Sequence, residues 1–272
     1  MSLMIELKNE EQFALMREAG LIVRGALETL RGEVKDGVTT ARLDALAEDY
    51  IRSHEAVPSF KGYGHPPFPG VICASLNHEI VHGIPGKTVV HDGDIISIDC
   101  GAIFQGWHGD AAITVGCGEI DESLAELLRV TEQSMWHGIA AIQDGKRLGD
   151  IGTAIQGYVR SQGPYGIVEG YGGHGIGTEM HMDPFVHNHR SMDRGSRLKL
   201  RPGMALAIEP MLTLGSKFTL ELDDDWTVVS RDGSPAAHFE QTVCLTEQGL
   251  WVTTAADGGK AGLAPFGVTV HP

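Results

Sequence analysis

The chain is short of positive charge. Its 272 residues hold 21 Lys and Arg against 36 Asp and Glu, a formal charge of −15, and such a surface repels both nucleic-acid phosphates and anionic lipid. No nucleic-acid-binding motif is present. Cysteine is scarce as well. Cys73, Cys100, Cys117 and Cys244 are far apart and form no CxxC pair, which argues against a disulfide framework or a sulfur-rich structural zinc site. Settings such as "GVICAS" and "IDCGA" are apolar and suit buried free thiols in a reducing cytosol. Long hydrophobic runs are missing too. The longest, "GMALAIEPML", is interrupted by Glu209 and is too short to cross a bilayer. The opening "MSLMIELKNEEQF" has no apolar signal-peptide core behind a basic segment. A cytoplasmic protein without a membrane partner is expected. Nor does any stretch rich in Pro, Ser or one charge divide the chain, so a single domain over residues 1–272 is expected, with residues 1–9 and 255–272 as loosely ordered ends.

What is present is patterned. Hydrophobic residues make up 42% of the chain and charged residues 21%, with 36 glycines spread along it, a balance that points to a folded domain with many turns rather than to disorder. In "NEEQFALMREAGLIVRGALETLRG" the residues Phe13, Met16, Ile22, Val23, Ala26, Leu27 and Leu30 recur near the helical period, predicting a helix from about Glu10 to Leu30. A second helix follows in "VTTARLDALAEDYIRSH", with the hydroxyl of Thr39 or Thr40 placed to cap it. Short β-branched runs between Val71 and Gly116, "VICAS", "DIISIDCGAIF" and "AAITVG", read as strands and hairpins. Two further helices are predicted in "DESLAELLRVTEQSMWHGIAAI" and "DIGTAIQGYVRSQ", and strands return in "GMALAIEPMLTLG", "FTLELD", "WTVVS", "FEQTVCLTEQG" and "LWVTT". The order helices, strands, helices, strands suggests an α+β domain of two similar halves sharing one sheet.

Four acidic residues stand inside these apolar runs. Asp99 lies in "IISIDCGA", Asp110 opens "DAAITVG", Glu209 lies in "ALAIEPML" and Glu240 in "AHFEQTVCL". An ionised carboxylate buried without a partner is very costly. Each one alone could pair with an arginine or cap a turn, but none has a basic residue within its own run, and four separate ion pairs would be needed. A shared divalent-metal centre satisfies all four charges together, because carboxylates supply oxygen ligands and can bridge two ions. The spacing of Asp99 and Asp110 suits a hairpin that presents both to one side.

The stretch "EGYGGHGIGTEMHMDPFVHNH" adds imidazoles. His174 is a natural nitrogen ligand for such a centre. His181 follows seven positions later, an odd spacing that would send the two rings to opposite faces of a straight strand. The flanking Gly172, Gly173, Gly175 and Gly177 indicate a bent backbone instead. His82 in "NHEIVHGIPG" has a similar glycine-flanked setting.

Five motifs taken in order, "SLNHEIVHGIPG", "SIDCGAIFQGWHGDAAIT", "GYGGHGIGTEMHMDPFVHN", "PGMALAIEPM" and "FEQTVCLT", resemble the motif series of type I methionine aminopeptidases. The resemblance runs from the "LMREAG" helix to Glu247. It implies the α+β pita-bread fold, two pseudo-symmetric halves around a dinuclear metal site. By motif, it implies metal ligation by Asp99, Asp110, His174, Glu209 and Glu240, with Asp110 and Glu240 bridging. His82 would contact substrate near the scissile amide, His181 would support the carbonyl oxygen, and Glu209 would also handle the proton of the attacking water. Tyr63, Cys73 and Trp226 match positions near the methionine pocket.

The cofactors implied are two divalent ions per chain. An oxygen-rich set with a single imidazole favours cobalt, manganese or iron(II). The implied substrate is the N-terminal methionine of nascent polypeptides when the next residue is small, with a transient ribosome contact and a monomeric chain. Met180 departs from the pattern, standing where an aromatic ring is expected, and so does the longer loop "GYGHPPFPG"; the tail "GGKAGLAPFGVTVHP" falls outside the resemblance. His78, His108, His187 and His189 are expected to be surface or supporting residues. Alternatives are an X-Pro aminopeptidase or prolidase of the same fold, a metal-free binding module, and a non-haem iron oxygenase. The first usually carries an added N-terminal domain, the second would have lost ligands, and the third leaves three acids unexplained. A type II enzyme needs a long insertion between His181 and Glu209, which here lie only 28 positions apart.

Overall fold

The computed structural model describes residues 4–272, and residues 1–3 of the end expected to be loose lie outside the described residues. The first helix, α1 (Glu10–Glu33), opens on a reciprocal cap. The Gln12 N–H donates to Asn9 Oδ1 at 2.9 Å, and the Asn9 N–H donates to Gln12 Oε1 at 2.8 Å, which satisfies two of the amides that a helix start leaves unpaired. Thr39 caps α2 (Thr40–Ser53) by accepting from the Arg42 N–H. Phe13, Met16, Val23, Leu27 and Leu30 form the buried stripe of α1.

Five strands complete this half: β1 (Val57–Pro58), β2 (Ile72–Leu76), β3 (Glu79–Val81), β4 (Ile95–Phe104) and β5 (Trp107–Gly116). β4 pairs with β5 along one edge and with β2 and β1 along the other. The β4–β5 hairpin turns through Gln105 and Gly106, both at positive φ (48° and 84°). That is the primed-turn geometry whose twist matches its strands.

The second half repeats the plan with α3 (Glu122–Ala140) and α4 (Leu148–Gln162) ahead of its strands. These are β6 (Gly166–Ile167), β7 (Gly173–Gly175), β8 (Met182–Val186), β9 (Ala205–Ile208), β10 (Met211–Thr213), β11 (Thr219–Glu221), β12 (Val228–Ser230), β13 (Ala236–His238), β14 (Gln241–Thr246) and β15 (Gly249–Val252). A five-stranded sheet has the order β15-β14-β9-β7-β8. It meets the first half where Ala112 and Glu240 exchange backbone hydrogen bonds of 3.3 and 2.9 Å. Buried side chains of both halves form one hydrophobic cluster.

Four sequence expectations change. Among the described residues the strands form four sheets rather than one sheet shared by the halves. The run "GMALAIEPMLTLG" is two strands, β9 and β10, separated at Glu209 and Pro210, because proline has no N–H to give to a ladder. β8 falls in the histidine-rich stretch, where no strand was expected. Residues 255–272 are not a loose end. The Leu250 N–H donates to Thr269 O at 3.0 Å, the His271 N–H donates to Leu250 O at 2.8 Å, and the His271 ring stacks on Trp251. Leu263, on the short helix α5 (Lys260–Leu263), is fully buried, and Phe266, Val268 and Val270 pack on the main cluster. Glycine and alanine around them mask this apolar spacing in the sequence. At the other end the Lys8 N–H donates to Gly203 O at 2.8 Å. No helix among the described residues is long and apolar enough to cross a membrane.

Candidate metal centre

Strand register brings the five expected ligands to one face. Across β4–β5, Asp99 pairs with Ala112 and Gly101 with Asp110; residues two apart on a strand share a face, so both carboxyls point the same way. Ala112 also faces Glu240 across the junction of the halves. The pairing of Gln241 with Ile208 in β14–β9 and of His238 with Met211 in β13–β10 leaves Glu240 opposite Glu209 between them. Gly175 pairs with Leu206, which sets His174 beside Ala207 and on the Glu209 side. The hydroxyl of Thr242 clamps the junction, accepting from the Asp110 N–H at 3.2 Å and donating to Asp110 O at 2.8 Å.

The glycines around His174 have a steric reason. A Cβ at Gly173 would lie 2.1 Å from Ala207 O, and one at Gly175 would lie 2.2 Å from Asp183 O. β7 is pressed between β8 and β9, and its register with β8 shifts between these two glycines. The chain then reverses, so the His174 and His181 rings come together with centroids 4.4 Å apart. The odd spacing is thereby accommodated.

Two trios of donor atoms result, Asp110–His174–Glu240 and Glu209–His238–Glu240, each with its atoms within 4.8 Å of one another. Asp99 stands outside both trios, with its carboxyl against that of Asp110. Exposure is 3% for Asp110, 6% for His174, 9% for Glu209 and 2% for Glu240, so water cannot screen them, and no Lys or Arg lines the cavity they face. Burial pushes the Asp99 carboxyl up to about 7. Burial and neighbouring carboxylates push Asp110, Glu209 and Glu240 well above the usual carboxylate range.

Asp99 Oδ1, Asp110 Oδ1, Glu240 Oε1 and His238 Nε2 are buried without a hydrogen-bond partner, a cost that calls for an explanation. A divalent ion supplies one. The Nδ1–H of His174 donates to Gly175 O at 2.9 Å, which turns the Nε2 lone pair toward Asp110 and Glu209, as a ligating imidazole requires. Desolvation lowers His174 to about 3, so the ring is neutral and free to bind.

The remaining predicted residues line the same cavity of about 260 Å³. His82 has the backbone of a left-handed residue (φ 60°), a strained conformation for a non-glycine. Its ring hydrogen-bonds the Trp226 backbone, and burial lowers it to about 4. The Tyr63 hydroxyl lies 2.6 Å from His181 Nδ1 at the exposed mouth. Phe60, Phe68, Cys73 and Met180 make an apolar wall with Trp226, whose ring meets Phe68 edge-on at 5.1 Å. Met180 is thus a wall residue. His108 is buried and contacts Ser59 Oγ at 3.1 Å, while His78, His187 and His189 do not line the cavity.

One residue was missed in the sequence. His238 is 1% exposed, and its Nε2 lies 3.7 Å from Glu209 Oε2 and 3.8 Å from Glu240 Oε2. The available signal was its place two positions before Glu240 in "HFE", since residues so spaced share a strand face.

Residues 14–247 match metallopeptidase family M24. The chain belongs to that family. Among M24 members, the methionine aminopeptidase of Clostridium acetobutylicum is 51% identical over 255 residues, 93% of this chain and 100% of that protein. The crystal structure of the methionine aminopeptidase from Rickettsia prowazekii matches with a TM-score of 0.88 at 38% identity, covering 93% of this chain and 100% of that one. The prolidase from Pyrococcus furiosus, with a TM-score of 0.74 and 20% identity, covers 92% of this chain and 65% of its own, a likeness of fold alone. The fold is therefore the M24 pita-bread fold, and the chain falls among the methionine aminopeptidases of M24. The proline-specific reading is not favoured, and neither the oxygenase nor the binding-module reading fits. M24 membership implies use of divalent metal, and the two trios are its candidate holders.

Proposed function

We propose that the chain removes the N-terminal methionine of nascent polypeptides when the second residue is small, using two divalent ions held by Asp99, Asp110, His174, Glu209 and Glu240. The observation that carries this reading is the uncompensated carboxylate and imidazole face at one side of an apolar cavity sized for a single side chain. Cobalt, manganese or iron(II) suits the donor set. When bound, such ions polarise the scissile carbonyl and bring the pKa of water toward neutrality.

The chain's own residues do the rest. Phe60, Phe68, Cys73, Met180 and Trp226 enclose the methionine side chain by burying its apolar surface. Tyr63 donates to His181 Nδ1, which leaves the N–H on Nε2 to donate to the substrate carbonyl oxygen. The His82 ring is tied at one nitrogen to the Trp226 backbone, and its other nitrogen accepts from the scissile amide. Glu209 takes a proton from the attacking water and returns it to the leaving amine. An apolar pocket alone discriminates only modestly, so crowding of the second residue at the mouth, where Tyr63 and Phe185 are part-exposed, supplies the preference for small ones.

The test is peptide hydrolysis by metal-stripped protein before and after each divalent ion is added. Methionine should be released from Met-Ala-Ser only after addition, and Met-Leu-Ser should be a poor substrate. Release from Leu-Pro in preference to Met-Ala-Ser would overturn the substrate assignment.

A further inference from the structure

The N-terminal segment crosses the turn that carries His181. Its two ends are tied down: the Met4 N–H donates to Asp183 Oδ2 on β8 at 3.2 Å, and the Lys8 N–H donates to Gly203 O ahead of β9 at 2.8 Å. Between these points Glu6 and Lys8 lie on Gly177 and Thr178, the residues that follow the buried Ile176 out of the core. The Thr178 hydroxyl donates to Glu6 Oε2 at 2.8 Å. The Lys8 ammonium donates to Glu6 O at 3.2 Å and lies 3.7 Å from Glu6 Oε1. It rests against Gly177, where an added Cβ would lie 2.6 Å from Lys8 Cε and 2.9 Å from Glu6 Oε1. Lys8 is only 7% exposed, a burial that lysine accepts when it has a partner, and Glu6 is that partner.

The turn needs this support. Gly177 is held at its carbonyl, which accepts from the His108 N–H at 2.9 Å, and its own N–H donates to Glu179 O at 3.1 Å. Beyond it Thr178, Glu179 and His181 are exposed and belong to no strand or helix. The Tyr63 hydroxyl turns the His181 ring but does not anchor the backbone beneath it. A group that supports a reacting carbonyl must be placed closely, since a misplacement of about 1 Å costs about 100-fold in rate.

We propose that Glu6, held by Lys8, is a positioning residue for the reaction: through the Thr178 hydroxyl it fixes the turn so that His181 Nε2 meets the substrate carbonyl oxygen. The proposal rests on the role given to His181 above. Glu6, Lys8 and Thr178 do not line the cavity, so they act without touching substrate.

Steady-state hydrolysis of Met-Ala-Ser by the metal-loaded full chain gives the test. Thr178→Val keeps the shape of the side chain and removes its hydroxyl. It should lower kcat about tenfold, the usual scale for a lost hydrogen bond to a charged group, and leave KM within about twofold. Thr178→Ser should keep the wild-type rate. Glu6→Ala should match Thr178→Val, and the double variant should lose no more than either alone. In a His181→Ala background Thr178→Val should cost nothing further, because the turn then has no ring to place. Wild-type kcat in Thr178→Val overturns the proposal. So does a loss of the same size that persists in the His181→Ala background, which marks a role in folding alone. If His181→Ala keeps the full rate with metal bound, the role of His181 fails and the positioning role with it, whereas an inactive metal-loaded wild type sinks the functional reading as a whole. Should Glu6→Ala not fold, the two Thr178 variants decide alone.

Discussion

The Asp99 carboxyl lies against that of Asp110, two acids placed on one face by the β4–β5 register. With no ion between them they cannot both ionise cheaply. Burial lifts Asp99 to about 7, and burial with the neighbouring carboxylates lifts Asp110 well above the carboxylate range, whereas His174 is lowered to about 3 and is already neutral. Protons displaced by an incoming dication therefore come from carboxyls. Apparent metal affinity should rise as pH is raised from 5.5 through about 7, with proton release at pH 6 exceeding that at pH 8. Calorimetry in two buffers of different ionisation heat measures the release, and an affinity flat across this range would contradict the assignment. In the stripped chain the two kinds of group oppose each other. The Asp99 carboxyl loses stability as pH rises from about 4 through 7, and the lowered histidines lose it as pH falls below their usual 6.5.

Replacing Glu209 by Gln keeps the shape of the side chain and removes its capacity to take a proton. Turnover of Met-Ala-Ser should fall by about 10²–10⁴-fold, the usual range for a lost general base, and the loss should appear mainly in kcat. Full turnover in steady-state assays of metal-loaded Glu209→Gln would remove its proton role.

Gly175→Ala tests how the histidine is positioned. The new methyl would lie 2.2 Å from Asp183 O, a backbone atom that cannot swing aside. A destabilisation of about 2 kcal/mol or more is expected in urea melts, along with weaker metal binding because His174 is the adjacent residue. Gly157, with open space around its Cβ position, serves as the control.

The apolar wall sets the grip on methionine. Phe68 is 3% exposed and packs against Trp226, so Phe68→Ala should lower kcat/KM for Met-Ala-Ser roughly tenfold or more. Metal affinity should be unchanged. Competition assays with Met-Ala-Ser and norleucine-Ala-Ser would show the two side chains affected alike.

Much of this site was legible because its residues violate local rules. Asp99, Asp110, Glu209 and Glu240 announce themselves as charges within apolar strands, and the Gln105–Gly106 turn lies between the first two as their spacing suggested. The Thr39 cap and the buried stripe of α1 follow directly from local chemistry. What stayed hidden depends on partners distant in sequence. His238 sits on a strand of three residues whose facing is set by Met211 and by the Thr114 hydroxyl, and its own segment marks it only by its spacing of two from Glu240. The packed tail escaped for the same reason, since Val270 acquires meaning only beside Leu250.

The central claim is that divalent ions compensate these buried acids, and the most direct measurement is elemental analysis of the chain after equilibrium dialysis against cobalt(II) or manganese(II). Two ions per chain are predicted for the wild type and fewer for Asp110→Asn, which removes one of the proposed ligand charges. A wild-type chain that emerges folded and free of metal, or that releases methionine at full rate in that state, would contradict the account.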